Sequence, residues 1–199
     1  MTLTVRIDAR ALGALMELGG NLQKPFGVGV RRVLLELSNQ IGMQIKPGKA
    51  LNPRSGMLAK AWQVRGGAEL NVSSTSTGAK GELATNNPYA RIQDEGGTVV
   101  PTTAQWLAIP VGPAKTAAGV SRFQSPRQAP GLFVIKSKNG NLLLVAPRGK
   151  DAITVWYILK KSVNIPASHY LDLAAAETDK VASGIVDAAL QEEIDRRIG

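Results

Sequence analysis

A long stripe of apolar residues between two prolines is the strongest constraint on the fold of this 199-residue chain. Proline suits the first turn of a helix, and Pro25 stands where such a turn would begin. Beyond it, apolar side chains recur every three or four positions, at Val30, Leu34, Leu37, Ile41 and Ile45. This spacing predicts an amphipathic helix that ends at Pro47-Gly48 and buries one face against other elements.

Strand-like segments surround this helix and predict an α+β fold. They cover Leu3–Ile7, Ala61–Arg65, Glu69–Ser73, Glu82–Thr85, Val99-Val100, Trp106–Val111 and Ile153–Val163. A short helical stretch is predicted at Ala9–Leu18, and Ser73–Gly78 is typical of a hairpin tip. We therefore expect a single domain over residues 1–199, with an antiparallel sheet packed against an early long helix and a long C-terminal helix.

The C-terminal helix is predicted at about residues 168–197, with Ser168 as its cap. Its approximate apolar stripe consists of Leu171, Ala174, Ala175, Val181, Ile185, Ala188, Ala189 and Ile194.

Two connections carry their own signals. Strand-like runs flank Asn139-Gly140 between Leu132 and Val145, which predicts a hairpin with a two-residue type I′ turn. Residues 112–130 are rich in proline, alanine, lysine and serine and have no periodicity. We interpret them as a long, mobile, basic loop, since loops of that length are usually functional or disordered.

Charge is distributed unevenly along the chain, whose net charge is +9. The basic residues between positions 115 and 161 are Lys115, Arg122, Arg127, Lys136, Lys138, Arg148, Lys150, Lys160 and Lys161. Asp151 is the only acidic residue there, whereas acidic residues outnumber basic ones after Ser162. Three interpretations stay open: pairing between subunits, contact with nucleic acid, or a solvated surface without a partner.

The residues needed for common catalytic and metal sites are scarce. The chain has no cysteine and a single histidine, His169, so cysteine sites and histidine clusters are excluded. Ser168, His169 and Asp172 are too close in sequence to form a catalytic triad, and no phosphate-binding loop pattern occurs. We expect no enzyme activity and no cofactor. No apolar run is long enough to span a membrane, and a soluble, intracellular protein is expected.

Three motifs resemble a known family. Asn86-Asn87-Pro88-Tyr89-Ala90, followed by Gly96-Gly97, resembles a segment of the tail-completion and virion-morphogenesis proteins of tailed bacteriophages. Ser55-Gly56-Met57-Leu58 and Ile165-Pro166-Ala167 match two further motifs of that family, and the hairpin region before Ile165 is similar to minor tail protein Z. His169-Tyr170-Leu171 stands where an aromatic-leucine pair is expected, although Ser168 replaces the usual arginine.

The resemblance implies a structural protein of the virion neck and tail that is assembled in the host cytoplasm. Copies would form a homo-oligomeric ring, a hexamer as in related neck proteins. The ring would join the tail tube or tail terminator protein to the head-side connector or stopper protein, with non-specific contact to packaged DNA and no membrane partner. The 112–130 loop is the candidate for an arm that orders on contact with a neighbour. The alternative is a basic nucleic-acid-binding module.

The candidate site residues follow from these motifs and from the basic block. The candidate interface residues are Tyr89, Asp94, Glu95, Gly96, Gly97, Arg122, Arg127, Ile165, Pro166, His169 and Tyr170. The candidate DNA-facing residues are Lys136, Lys138, Arg148 and Lys150. The double glycine allows positive φ or close backbone approach, and Tyr89 can bury its ring while its hydroxyl stays at a polar edge.

Overall fold

The computed structural model describes residues 1–8, 23–75, 78–149 and 152–198, with only the backbone of residues 5–8, 23, 197 and 198. The helices are α1 (Gln23–Gln44), α2 (Met57–Ala61), α3 (Tyr89–Glu95) and α4 (Tyr170–Ile198). The strands are β1 (Thr2–Asp8), β2 (Glu69–Thr75), β3 (Gly78–Ala84), β4 (Gly97–Val99), β5 (Leu107–Pro110), β6 (Phe133–Lys136), β7 (Leu142–Arg148), β8 (Ala152–Lys160) and β9 (Val163–Ile165). The predicted α+β class, with antiparallel sheets, an early long helix and a long C-terminal helix, is confirmed.

The chain divides into two compact units. Unit 1 comprises residues 1–95 and 168–199, and unit 2 comprises residues 96–167. The sequence predicts one domain, whereas each unit of the structure contains a sheet of its own.

Unit 1 is built on a three-stranded antiparallel sheet in the order β1-β3-β2. Helix α1 packs on this sheet, and α4 packs against α1. The predicted stripe from Val30 to Ile45 is buried, as predicted. Gly81 of β3 lies directly beneath α1, because a Cβ there would stand 2.4 Å from Val30 Cγ1 and 2.6 Å from Leu34 Cδ1. The absence of a side chain at Gly81 therefore allows α1 to approach the sheet closely.

Not every prediction made from the sequence for unit 1 agrees with the structure. The strand predicted at Ala61–Arg65 is wrong, because α2 ends at Ala61 and Val64–Gly66 form a 3₁₀ turn. On α4 the stripe is shifted: Val181 and Ala188 are exposed, whereas Thr178 and Leu190 are buried. Packing against α1 determines which positions are buried. The apolar and polar faces of α4 differ too little in sequence to specify them. The predicted helix at 9–18 lies outside the described residues. Of the hairpin tip predicted at 73–78, residues 73–75 belong to β2 and Gly78 begins β3, while residues 76–77 lie outside the described residues.

Unit 2 contains a four-stranded antiparallel sheet in the order β5-β8-β7-β6 and a two-stranded sheet of β4 and β9. The predicted strand Ile153–Val163 is interrupted at residues 161–162 and supplies one strand to each sheet. Val145 and Tyr157 are the buried side chains of the larger sheet, and the β7–β8 register shifts between Leu144 and Val145. Among the residues that the structure describes, β6 and β5 end this sheet, so each has a hydrogen-bonded neighbour strand on one side only.

The predicted β6–β7 hairpin is present, but its turn is not the predicted two-residue type I′ turn. Ser137 N donates to Asn141 O, and Gly140 N donates to Ser137 O, so the loop has three residues. Gly140 has a φ of 77°, whereas Asn139 keeps a negative φ. This is the pattern of a type I turn followed by a glycine in the left-handed region, which also suits an Asn-Gly sequence.

Residues 112–130 connect β5 to β6 and contain local structure. Gly112–Ala114 and Pro126–Gln128 form 3₁₀ turns, and Lys115 forms an isolated bridge with Ser121. Ala114 and Ala129 are buried.

Candidate assembly interface

Two of the motifs, separated by seventy residues in sequence, meet where α3 ends and α4 begins in unit 1. The backbone N–H groups of Ser168 and His169 donate to the Asp94 carbonyl oxygen at 3.0 and 3.1 Å. The Ser168 hydroxyl donates to the Gln93 carbonyl oxygen at 2.6 Å. The Asp94 side chain accepts from the backbone N–H of Leu171, in the first turn of α4, at 3.0 Å. The cap of α4 is therefore Asp94, and the prediction that Ser168 caps this helix is wrong.

Asp94 is a buried carboxyl group, with 5% of its surface exposed. Burial raises the pKa of Asp94, while the hydrogen bond from Leu171 N opposes the rise. Because the pKa is raised in the folded state, this group's contribution to stability is complete below its unfolded-state pKa. The contribution is lost as the pH rises through the folded-state pKa.

Two substitutions at Asp94 distinguish the effect of its capping oxygen from the effect of its charge. Asp94→Ala removes the cap and should lower the free energy of unfolding by about 1–2 kcal/mol. Asp94→Asn keeps an oxygen that caps equally well, so we expect a change within about 0.5 kcal/mol at neutral pH. Asp94→Asn should also flatten the decline in stability above the usual aspartate range, because it cannot ionise. Urea unfolding across pH tests this, and equal losses in the two variants would refute the capping role.

A chain of buried hydrogen bonds also stabilises the junction between α3 and α4. Trp62 Nε1 donates to Tyr170 Oη at 3.0 Å, and Tyr170 Oη donates to the Ala90 carbonyl oxygen at 3.3 Å. The Ser38 hydroxyl donates to the Trp62 carbonyl oxygen at 2.8 Å. Burial raises the pKa of Tyr170 to about 12, so its hydroxyl keeps its proton and acts as a donor. Tyr170 is therefore a core residue of α4 that is hydrogen-bonded both to α3 and to Trp62, the residue that follows α2.

The double glycine and the Ile165 motif pair with each other in unit 2. Gly97 pairs with Ile165 in the β4–β9 ladder. Gly96 has a φ of 72°, and a Cβ there would stand 2.6 Å from Ala167 N and 2.8 Å from Ile165 O. Both the backbone conformation and the close approach require glycine at position 96.

The other motif residues lie on the surface. Tyr89 is 64% exposed, so its ring does not take the buried position that its chemistry allows. Its position explains the difference, because it begins α3 and its backbone N–H is bound to the Asn87 side chain. Glu95 forms an exposed ion pair with Arg91, and Pro166 is also exposed. His169 is exposed and adopts a φ of 49°, with its Nδ1 3.6 Å from Asp172 Oδ2.

The basic residues of unit 2 do not form one group. Lys136 pairs with Leu142, which pairs with Leu159, so Lys136, Lys138 and Lys160 lie at one end of the larger sheet. Arg148 ends β7 six residues from Leu142, roughly 20 Å away along the strand. Lys150 lies outside the described residues.

The two candidate arginines have different surroundings. Arg122 Nε donates to the Lys115 carbonyl oxygen at 2.8 Å, which closes the 115–121 bridge. Arg127 borders a cavity of about 900 Å³ together with Trp106, Leu132 and Leu159.

Sequence reasoning missed Trp62 and the exposed edge of β6. Trp62 is fully buried. Because the segment around it resembled a strand, only the size of its side chain indicated a core position. On β6, Phe133 and Val134 are 43% and 56% exposed. Their sequence pattern predicts a strand, but it does not show whether that strand lies inside the sheet or at its edge.

The described residues offer no group of three or more histidine, cysteine or carboxylate side chains that could hold a metal ion. Within the same residues, no helix combines the length and apolarity that a membrane crossing requires. Comparisons of the chain with protein-family models, with curated proteins and with solved structures found no match.

Proposed function

We propose that this chain is a structural protein of the bacteriophage neck, where copies form a ring that joins the tail tube or tail terminator to the head-side connector. One observation carries the proposal. Two of the three segments that carry the resemblance meet in space: the segment ending at Asp94 holds the start of α4 through five hydrogen bonds. Contacts between two of these segments support the resemblance more than separate short matches would.

The surface of the protein supports an assembly role. Tyr89, Phe133 and Val134 expose large apolar or aromatic side chains, which are enriched where protein surfaces meet. Opposite charges are also segregated, since unit 2 carries nine basic residues and one acidic residue, while residues 168–199 carry three and seven. This distribution suits contacts between copies with complementary charge.

Electron microscopy of the intact phage particle that contains this chain tests the proposal. We expect a closed ring of density, assigned by its side chains, between the head connector and the tail tube. A particle that is complete without the chain would overturn the proposal.

The charge of unit 2 favours a second candidate, a nucleic-acid-binding module. The described cations of unit 2 form no ion pair with a described carboxylate. Unpaired cations can neutralise phosphates and release counterions, so DNA affinity should fall steeply with salt concentration.

Double substitution of Lys136 and Lys138 by alanine tests the DNA contact. If both lysines bind phosphates, the slope of log affinity against log salt should decrease by about 2 in magnitude. Lys46→Ala/Lys49→Ala is the matched control, because both lysines are exposed in unit 1. Fluorescence anisotropy with a short DNA duplex provides the measurement. Absence of DNA binding by the unmodified protein near physiological salt would eliminate this candidate.

A further inference from the structure

A groove of about 430 Å³ lies in unit 1 between β1, α1 and α4. Its apolar lining includes Leu3, Val33, Leu37 and Val186. On the α4 side, Asp179 and Asp187 line the groove, and both residues are exposed. Neither aspartate forms an ion pair with another described residue. The groove therefore combines an apolar floor with an unneutralised acidic rim.

Strand β6 of unit 2 has the opposite properties. It is an edge strand, so its outer N–H and C=O groups have no partner strand among the described residues. Its side chains Phe133 and Val134 are exposed. Lys136 ends the strand, and Lys138 follows in the turn. An exposed apolar edge strand of this kind promotes pairing with another chain unless a partner covers it.

We propose that the groove of one copy binds β6 of a second copy, with Lys136 and Lys138 beside Asp179 and Asp187. The dimensions agree: four strand residues span roughly 13 Å, and the nine helical residues from Asp179 to Asp187 also span about 13 Å. The groove is also bordered by β1, an edge strand of the unit 1 sheet in the described residues. Edge strands add to one another through main-chain hydrogen bonds, while apolar side chains enter adjacent pockets.

A second copy is the occupant that the charges favour. The basic strand and the acidic groove belong to the same chain, so every copy offers one of each. Such head-to-tail contacts generate a ring when the rotation closes. This proposal specifies the contact between copies in the proposed neck ring and rests on that proposed function.

Single-cysteine variants test the contact directly, because the chain contains no cysteine of its own. Val134→Cys and Ser183→Cys are prepared as separate proteins with tags of different mass, mixed at high concentration, and treated with a short bismaleimide. Ser183 lines the groove and is exposed. The matched control replaces Ser183→Cys with Ala188→Cys, an exposed position on α4 roughly 140° further around the helix.

We expect cross-linked heterodimer from Val134→Cys with Ser183→Cys, at a yield severalfold above the Ala188→Cys control. A yield equal to the control would overturn the contact. Charge reversal provides an independent readout that does not depend on cysteine chemistry. Lys136→Glu/Lys138→Glu should abolish the cross-link, and Asp179→Lys/Asp187→Lys in the other protein should restore it. Lys46→Glu/Lys49→Glu should leave it unchanged, and a failure of restoration would refute the charge pairing.

The outcomes for the contact and for the proposed function can be distinguished. A ring in the particle without this cross-link would leave the neck function standing and eliminate the β6 contact. The cross-link in a protein that the particle lacks would establish self-association and eliminate the neck function.

Discussion

Gly96→Ala is expected to destabilise the protein by roughly 3 kcal/mol or more, since two costs combine at this position. The first is the backbone conformation, because a φ of 72° disfavours any residue with a Cβ. The second is steric. The new Cβ would stand 2.6 Å from Ala167 N and 2.8 Å from Ile165 O, and these backbone atoms cannot move without shifting the β4–β9 ladder.

Gly140→Ala is the matched control for the Gly96 substitution. Gly140 has a similar φ of 77°, but no atom lies within 4 Å of the Cβ position. Gly140→Ala should therefore lower the free energy of unfolding only by the backbone cost, about 1 kcal/mol. Urea unfolding followed by circular dichroism measures both, and hydrogen exchange should show lost protection in β4 and β9 for Gly96→Ala alone. Equal losses in the two variants would show that the packing around Gly96 is unimportant.

Trp62→Ala is expected to cost about 3–5 kcal/mol in the free energy of unfolding. Trp62 is fully buried in the unit 1 core, so alanine would leave a large cavity. The same change removes the indole N–H that Tyr170 Oη accepts at 3.0 Å. The loss should reach the start of α4 through Tyr170, which also binds the Ala90 carbonyl oxygen.

Two further variants separate cavity formation from hydrogen bonding at Trp62. Tyr170→Phe keeps the ring but leaves Trp62 Nε1 without its partner, at a cost of about 1–3 kcal/mol. Trp106→Ala is the control for a tryptophan that is only half-buried, and it should cost less than Trp62→Ala. Thermal unfolding followed by circular dichroism compares all three. A Trp62→Ala loss no larger than that of Trp106→Ala would contradict the assignment of Trp62 to the core.

The strongly periodic elements were predictable because their signals are local. The α1 stripe is buried as its spacing predicted, since five strong apolar residues on one face leave little choice of orientation. The β6–β7 hairpin was predictable from Asn139-Gly140, although the turn type was not. On α4 the contrast between faces is weaker, and Val181 is exposed because contact with α1 selects a different face.

The candidate site was predictable as a set of segments but not as an arrangement. The sequence marked Gly96-Gly97 and Ile165-Pro166 separately, and only the β4–β9 ladder shows that they pair. It marked Asp94 and Tyr170 without their roles, which depend on contacts with Leu171 and Trp62 far away in the chain. The chemistry of Tyr89 allows a buried ring, but its position at the start of α3 leaves it exposed to solvent.

The amino-acid sequence is sufficient to predict the α+β class, the two long helices, the hairpin and the uneven distribution of charge. These properties depend on residue type and on spacing over a few positions, which can be read without knowing what lies nearby. The contacts of the folded chain were needed to show that Asp94 caps α4 and that Gly96 lies against Ala167. They also show that β6 lies at the edge of its sheet in the described part of the chain, and that Asp179 and Asp187 border an apolar groove. Such properties depend on which distant residues become neighbours, and local spacing carries no information about that.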